Sequence, residues 1–122
     1  MKTNNVIVDK SFNFSLEIIS LYKILIERKE FIISKQLLRS VTSIGANVEE
    51  AVAAQSRKDF IHKMSIASKE ARETKYWIRL LEQSKLVETD YSSALINIDH
   101  ILNILTKIVK TTSESTAVKT EL

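Results

Sequence analysis

Acid–base chemistry has few carriers in this chain, which holds two histidines, His62 and His100, and no cysteine. Asp59 and His62 stand three apart, a spacing that sets a carboxylate and an imidazole on one face of a helix. A di-metal site in a helical bundle draws carboxylates from two helices and a Glu-x-x-His from each of the other two. The chain lacks that set, so neither a metal nor a cofactor is expected. His100 directly follows Asp99, and adjacent helical residues do not face one another. Both histidines are expected in solvent or at caps. Arg57 and His62 form an Arg-x4-His pattern, in which a guanidinium would stabilise phosphate charge while an imidazole manages a proton, as RNA cleavage requires. Two residues at so loose a spacing also arise readily by chance. The absence of thiols excludes disulfide frameworks, thiol catalysis and zinc knuckles, and a single glycine cannot build a phosphate-binding loop or a dinucleotide fingerprint.

Positive charge is the second chemical resource. The formal net charge is +3, but residues 56–85 alone carry eight bases against four acids, so the rest of the chain is slightly acidic. Arg57, Lys58, Lys63, Lys69, Arg72, Lys75 and Arg79 are the candidate contacts for nucleic-acid phosphates, with Lys85 closing the segment. Intrahelical pairs Lys69–Glu73 and Arg79–Glu82 are expected to neutralise part of this row. Repetition of the row around an oligomer would multiply its field, because phosphate affinity grows with the number of charges neutralised.

Polar residues also recur where a helix would bury them. Gln36, Ser40, Ser43, Asn47 and Glu50 repeat at 4-3-4-3 spacing beside an apolar row, Leu37, Val41, Ile44, Val48 and Ala51, with the same spacing. A solvated face, a ligand site and a hydrogen-bonded seam are the three readings. The seam is favoured, with Asn47 and Glu50 meeting partners on another helix to fix register. Gly45 lies inside this helix, where it costs about 1 kcal/mol relative to alanine. A close helix approach is the expected compensation.

These side chains need elements to hold them, and the composition names the kind. With no proline, one glycine and 44% apolar residues, the chain lacks the punctuation of a turn-rich β fold. Helical spacing appears four times. The first helix opens near Ser11, with Phe12, Leu16, Ile19, Tyr22 and Ile26 on one face and Phe14, Ile18, Leu21 and Leu25 on the next. Ser34 is the expected N-cap of the second helix, and Ser56 with Asp59 forms a capping box for the third. The third helix carries Phe60, Met64, Ala67, Ala71, Thr74, Ile78 and Leu81. The fourth, capped by Thr89 or Asp90, carries Leu95, Ile98, Leu102, Leu105 and Val109. Short connections predict an all-α, up-down-up-down antiparallel four-helix bundle over residues 11–110, between an N-terminal arm at 1–10 and a disordered tail at 111–122. The wide apolar arcs of the first and fourth helices favour a homo-oligomer. No signal-peptide core or membrane span is evident, so a soluble, cytoplasmic chain with no membrane partner and no small-molecule substrate is expected.

The stretch Gln36-Leu37-Leu38-Arg39-Ser40-Val41-Thr42-Ser43-Ile44-Gly45-Ala46-Asn47-Val48-Glu49-Glu50-Ala51 is followed by Lys58-Asp59-Phe60 and by Ile66-Ala67-Ser68 through Glu73 and Trp77. Over about residues 12–109 the chain resembles the small four-helix-bundle proteins encoded in intervening sequences of bacterial large-subunit ribosomal RNA genes, which often bear a ribosomal-protein name. It departs from their pattern at Glu50-Ala51, where Glu-Gly is common. The resemblance implies a homo-oligomer, with pentameric rings known among relatives, and no established catalytic activity. Accessory variability proteins of diversity-generating retroelements are similar, and bind nucleic acid and a reverse transcriptase through a basic ring exterior. The motif residues Gln36, Arg39, Ser40, Ser43, Asn47, Glu50 and Glu73 are assigned chiefly to packing. The expected function is non-enzymatic binding of structured RNA, or of a nucleic-acid-handling protein such as a reverse transcriptase, through the basic third helix of a homo-oligomer, a pentamer by this resemblance. A purely protein-binding scaffold is the alternative. A third reading is a ribonuclease using Arg57 and His62, a pattern that also looks like the active site of the helical HEPN ribonucleases.

Overall fold

The computed structural model describes the backbone of residues 2–121 and the side chains of residues 6–114. Four α-helices follow one another: α1 Lys2–Glu27, α2 Ile33–Val52, α3 Arg57–Ser84 and α4 Ser92–Glu121. Sequential neighbours pack together and α4 closes back on α1, whereas the backbones of the diagonal pairs α1/α3 and α2/α4 stand farther apart. This is the four-helix bundle that the apolar periodicity predicts.

Each helix contributes one buried row. On α2 it is Leu37, Val41, Ile44, Val48 and Ala51, and on α3 Met64, Ala67, Ala71, Thr74, Ile78 and Leu81, at the spacing read from the sequence. Small side chains at Ala67, Ser68 and Ala71 let α2 and α3 approach along much of their length, and this is the most extensive helix pair. On α1 the buried row is Ile7, Ser11, Phe14, Ile18, Leu21 and Leu25, leaving Phe12 60% and Leu16 50% exposed. Ile7 continues the row ahead of Ser11, so α1 begins at Lys2 and the boundary drawn at residue 11 is not a helix end. On α4 the fully packed row is Ala94, Ile98, Ile101, Leu105 and Ile108, with Leu95, Leu102 and Val109 at its edge. The helix continues to Glu121, because nothing after Lys110 supplies the glycine or proline that stops one. The side chains of residues 115–122 lie outside the described set.

The turns show how the elements are bounded. α1 ends where Lys29 takes a left-handed φ of 65°. The α2 N-terminus is not capped by Ser34, which is buried within the helix and donates to the Glu30 carbonyl. Instead the Glu30 carboxylate accepts the backbone N–H groups of Ile32, Ile33 and Ser34, at 3.0, 3.1 and 2.6 Å. One long acceptor thus satisfies three of the orphan donors of the new helix, and its negative charge suits that end. Ser56 caps α3 as the sequence indicates, its hydroxyl accepting from Asp59 N–H at 3.1 Å. α3 stops at Lys85, with φ 58°. Ahead of α4, the Asp90 carboxylate accepts from Ser92 N–H and Oγ–H, and these bonds hold it below the usual carboxylate range.

Candidate nucleic-acid interface

Helical geometry sorts the charges of α3 onto different faces. Lys58, His62, Ser65, Lys69, Arg72, Tyr76, Arg79 and Gln83 continue a single 4-3-4-3 row, and this row points away from the core. It is about 38 Å long at 1.5 Å per residue and contains no carboxylate. All of its members are exposed except the half-buried Ser65.

Two of the four acids of this helix, Glu70 and Glu73, are engaged elsewhere, while Asp59 and Glu82 lie exposed beside the row. Arg39 on α2 reaches across to Glu70, at 3.2 Å, and to Glu73. Lys63 pairs with Glu50 of α2 at 3.2 Å, and Lys75 with Asp99 of α4 at 2.7 Å. Of the seven bases singled out in the sequence, Lys63 and Lys75 therefore lie at the flanks with partners. Arg57 stands exposed at the first position of α3. Among the described residues, Lys58, Lys69, Arg72 and Arg79 form no ion pair. The intrahelical pairs expected for Lys69 and Arg79 are absent, and Glu73 is held by Arg39 instead. A guanidinium can engage two carboxylates at once from a rigid, preorganised fork, whereas a lysine ammonium is a point charge on a flexible stem.

Tyr76 was not singled out by charge, yet it sits in the middle of this row. Its side chain is 53% exposed. The Trp77 ring makes a T-shaped contact with it, with centroids 5.0 Å apart and planes at 70°. Trp77 itself packs against the core, and its indole N–H is buried without a hydrogen-bond partner.

The polar seam of α2 faces α3. Ser40 is wholly buried: its hydroxyl donates to Leu37 O at 3.1 Å and accepts from Thr74 Oγ1 at 2.8 Å. Gln36 Oε1 lies 3.5 Å from Arg39 Nε. Glu50 meets a partner on another helix, but Asn47 does not: its amide donates to Ser43 O and Ser43 Oγ within α2, at 2.9 and 3.1 Å. At the half-buried Gly45, an added Cβ would stand 3.6 Å from Ser15 Oγ and 4.0 Å from Ser11 O on α1. The helices are near there, but with room for a methyl group.

Arg57 and His62 are five residues apart, about 140° around the helix, so they do not converge. No cluster of metal-binding side chains occurs among the described residues. His100 borders a small α1/α4 cleft with Lys10, Asn13 and Glu17, where the Glu17 carboxylate accepts from Ser93 Oγ and Asn97 Nδ2, each at 2.7 Å. On the opposite side of α1, Ile19, Tyr22 and Ile26 line an apolar groove with Leu38 of α2, rimmed by Lys23, Lys35 and Arg39. No helix among the described residues is long and apolar enough to cross a membrane.

The fold agrees with known proteins. The model of the 23S rRNA-intervening sequence protein family matches residues 3–107. A solved structure from Bacteroides thetaiotaomicron, a protein of unknown function from the S23 ribosomal protein family, is 49% identical, with a TM-score of 0.84 over 88% of this chain and 98% of that one. No curated protein matches the chain. A family match across nearly the whole bundle, joined to close structural likeness at that identity, establishes that the chain belongs to the 23S rRNA-intervening sequence protein family.

Proposed function

We propose that this chain is a non-enzymatic, homo-oligomeric bundle that binds structured RNA through the outward row of α3. One observation carries the reading: Lys58, Lys69, Arg72 and Arg79 share one outward row that holds no carboxylate, while the acids of α3 with ion-pair partners are held at the α2 seam. Four uncompensated charges on one chain make a modest phosphate-binding site. Several copies in one assembly make a stronger one.

The same structure offers a surface for assembly. Phe12 and Leu16 are large, apolar and exposed on α1, beside the groove shared with α2. Apolar surface of this kind favours association. Since α1 lies diagonally across the bundle from α3, association through α1 leaves the basic row open to solvent. A ring of five is the assembly the family resemblance implies. A nucleic-acid-handling protein such as a reverse transcriptase is the class of protein partner it implies.

Fluorescence anisotropy with a labelled stem-loop RNA tests the binding. Four phosphate contacts give a salt slope that weakens binding roughly 50- to 150-fold between about 50 and 200 mM salt. Reversing Lys69, Arg72 and Arg79 to glutamate should remove binding. Absence of binding at low salt, or binding insensitive to salt, overturns the reading. Partner capture that survives the charge reversal would instead support a protein-binding scaffold. Native mass spectrometry reads the subunit number, and Phe12→Glu with Leu16→Glu should yield monomers.

A further inference from the structure

Resting on that reading of α3, we propose that Tyr76 is a stacking platform for an unpaired base, so that the preferred ligand is single-stranded or looped-out RNA rather than a continuous duplex. Three observations combine. The first is position: Tyr76 follows Arg72 by four residues and precedes Arg79 by three, so cations flank it on the same face, each within about 6 Å along the helix axis. A base lying on the ring would direct its two adjoining phosphates toward the two guanidiniums.

The second is the state of the ring. It is about half exposed, and it stands in T-shaped contact with Trp77, which is anchored on the core. A braced ring loses little conformational freedom when a base stacks on it, which favours binding. The third is the surroundings. The row contains no carboxylate, and Tyr76, set between two guanidiniums, is its largest aromatic residue, His62 lying about four turns away. Basic side chains that follow a phosphate backbone, interleaved with an aromatic that accepts any base, are the two parts of a single-strand binding surface. A duplex presents its backbone and shallow minor groove to such a helix face but no open base face, because its bases are stacked on one another and the deep groove of A-form RNA admits no side chain. Tyr76 would then contribute nothing.

The test compares the full chain with its Tyr76→Ala and Tyr76→Phe variants, using a labelled oligouridylate and a blunt RNA duplex of equal length at low salt. The wild-type chain should prefer the single strand. Tyr76→Ala should weaken oligouridylate binding about tenfold while leaving duplex binding within about twofold, and Tyr76→Phe should bind both as the wild type does. Circular dichroism and native mass should be unchanged in both variants. If Tyr76→Ala weakens both ligands equally, weakens neither, or alters the oligomer, or if the wild type prefers the duplex, the stacking role falls and the basic row stands. If the wild type binds neither RNA, the reading of α3 itself fails.

Discussion

Replacing Gly45 with alanine should stabilise the bundle, although the only glycine of a chain invites the opposite expectation. The residue lies in the middle of α2 and does not use a positive φ, so nothing in its backbone demands glycine. Glycine costs about 1 kcal/mol against alanine in a helix interior, partly through the freedom it adds to the unfolded chain. Whether that gain is realised depends on what the new methyl group meets. Its nearest neighbours would be Ser15 Oγ at 3.6 Å and Ser11 O at 4.0 Å, which are ordinary van der Waals separations. Ser15 keeps its bond to Ser11 O at 3.0 Å and needs no new rotamer. A gain of about 1 kcal/mol corresponds to a rise of about 4 °C in Tm for a domain of this size. Urea and thermal denaturation, followed by circular dichroism at one fixed protein concentration, measure it, the concentration being held because assembly contributes to stability. Gly45→Leu is the contrasting variant and should cost about 1–3 kcal/mol by pushing α1 away. A fall in stability for Gly45→Ala would refute the reasoning, since it would mean that α1 and α2 are closer than these separations or that a partner subunit occupies the space.

Four further outcomes follow from the same contacts. Ser40→Ala and Thr74→Val should each cost about 1 kcal/mol, and a double-mutant cycle in urea should return a coupling energy of about 0.5–1.5 kcal/mol for the buried hydroxyl pair. Glu30→Ala should cost about 1–2 kcal/mol by leaving three N–H groups of α2 without their acceptor, whereas Ser34→Ala should cost less. Burial, reinforced by the charge of Glu30, raises Tyr91 above its ordinary pKa of 10.0. The folded state therefore keeps a proton that the unfolded state loses, and stability should hold below about pH 10 and decline as pH rises through the folded-state value, a slope that Tyr91→Phe removes. Arg39→Met should cost no more than about 1 kcal/mol of stability, because its ion pairs are partly exposed. It should also flatten the salt slope of RNA binding by about one charge, as the released Glu73 becomes free to pair with Lys69.

How much of this was legible in the sequence depended on whether one face of a helix or two were apolar. On α2 and α3 a single row of apolar residues stood against polar neighbours, and the structure buries those rows at the spacing read from the sequence. On α1 two adjacent rows were apolar, and spacing alone could not choose between them. The monomer buries the row of Phe14, Ile18, Leu21 and Leu25 and exposes Phe12 and Leu16. The Glu30 cap was hidden for another reason: it belongs to the turn after α1, and only a long side chain folding back over Phe31 brings its carboxylate to α2. In the candidate site, the bases were visible but their partners were not. Lys69 and Glu73 have the spacing of an intrahelical pair, and only the register of α2 against α3 places Arg39 where it takes the glutamate first. Tyr76 was legible in principle, since it continues the row of Lys69, Arg72 and Arg79, but counting charge by segment passes over an uncharged residue.

Arg39 links the packing motif of α2 to the outer surface of α3, and this joins two features that the sequence presents as separate. A helix with eight bases and four acids within its segment would ordinarily lay both signs on its solvent face, where pairs three or four residues apart offset one another. Here the guanidinium of Arg39 holds Glu70 and Glu73 at the seam, while Ser40 and Thr74 lock the register that keeps it there. The effect on the surface does not require strong ion pairs. Each is partly exposed and adds little to stability, but drawing the two carboxylates toward α2 occupies them, so that they do not pair with Lys69 and Arg72. In an assembly that repeats the outward row, the potential scales with what is left uncompensated on each copy, so a small rearrangement at one seam is multiplied by the number of subunits. A residue in the packing motif can therefore govern phosphate affinity without touching a phosphate. In binding measurements it would be separable from Arg72 and Arg79: Arg39→Lys keeps the charge but not the rigid fork, so it should hold the two carboxylates less firmly and recover only part of the affinity that Arg39→Met loses.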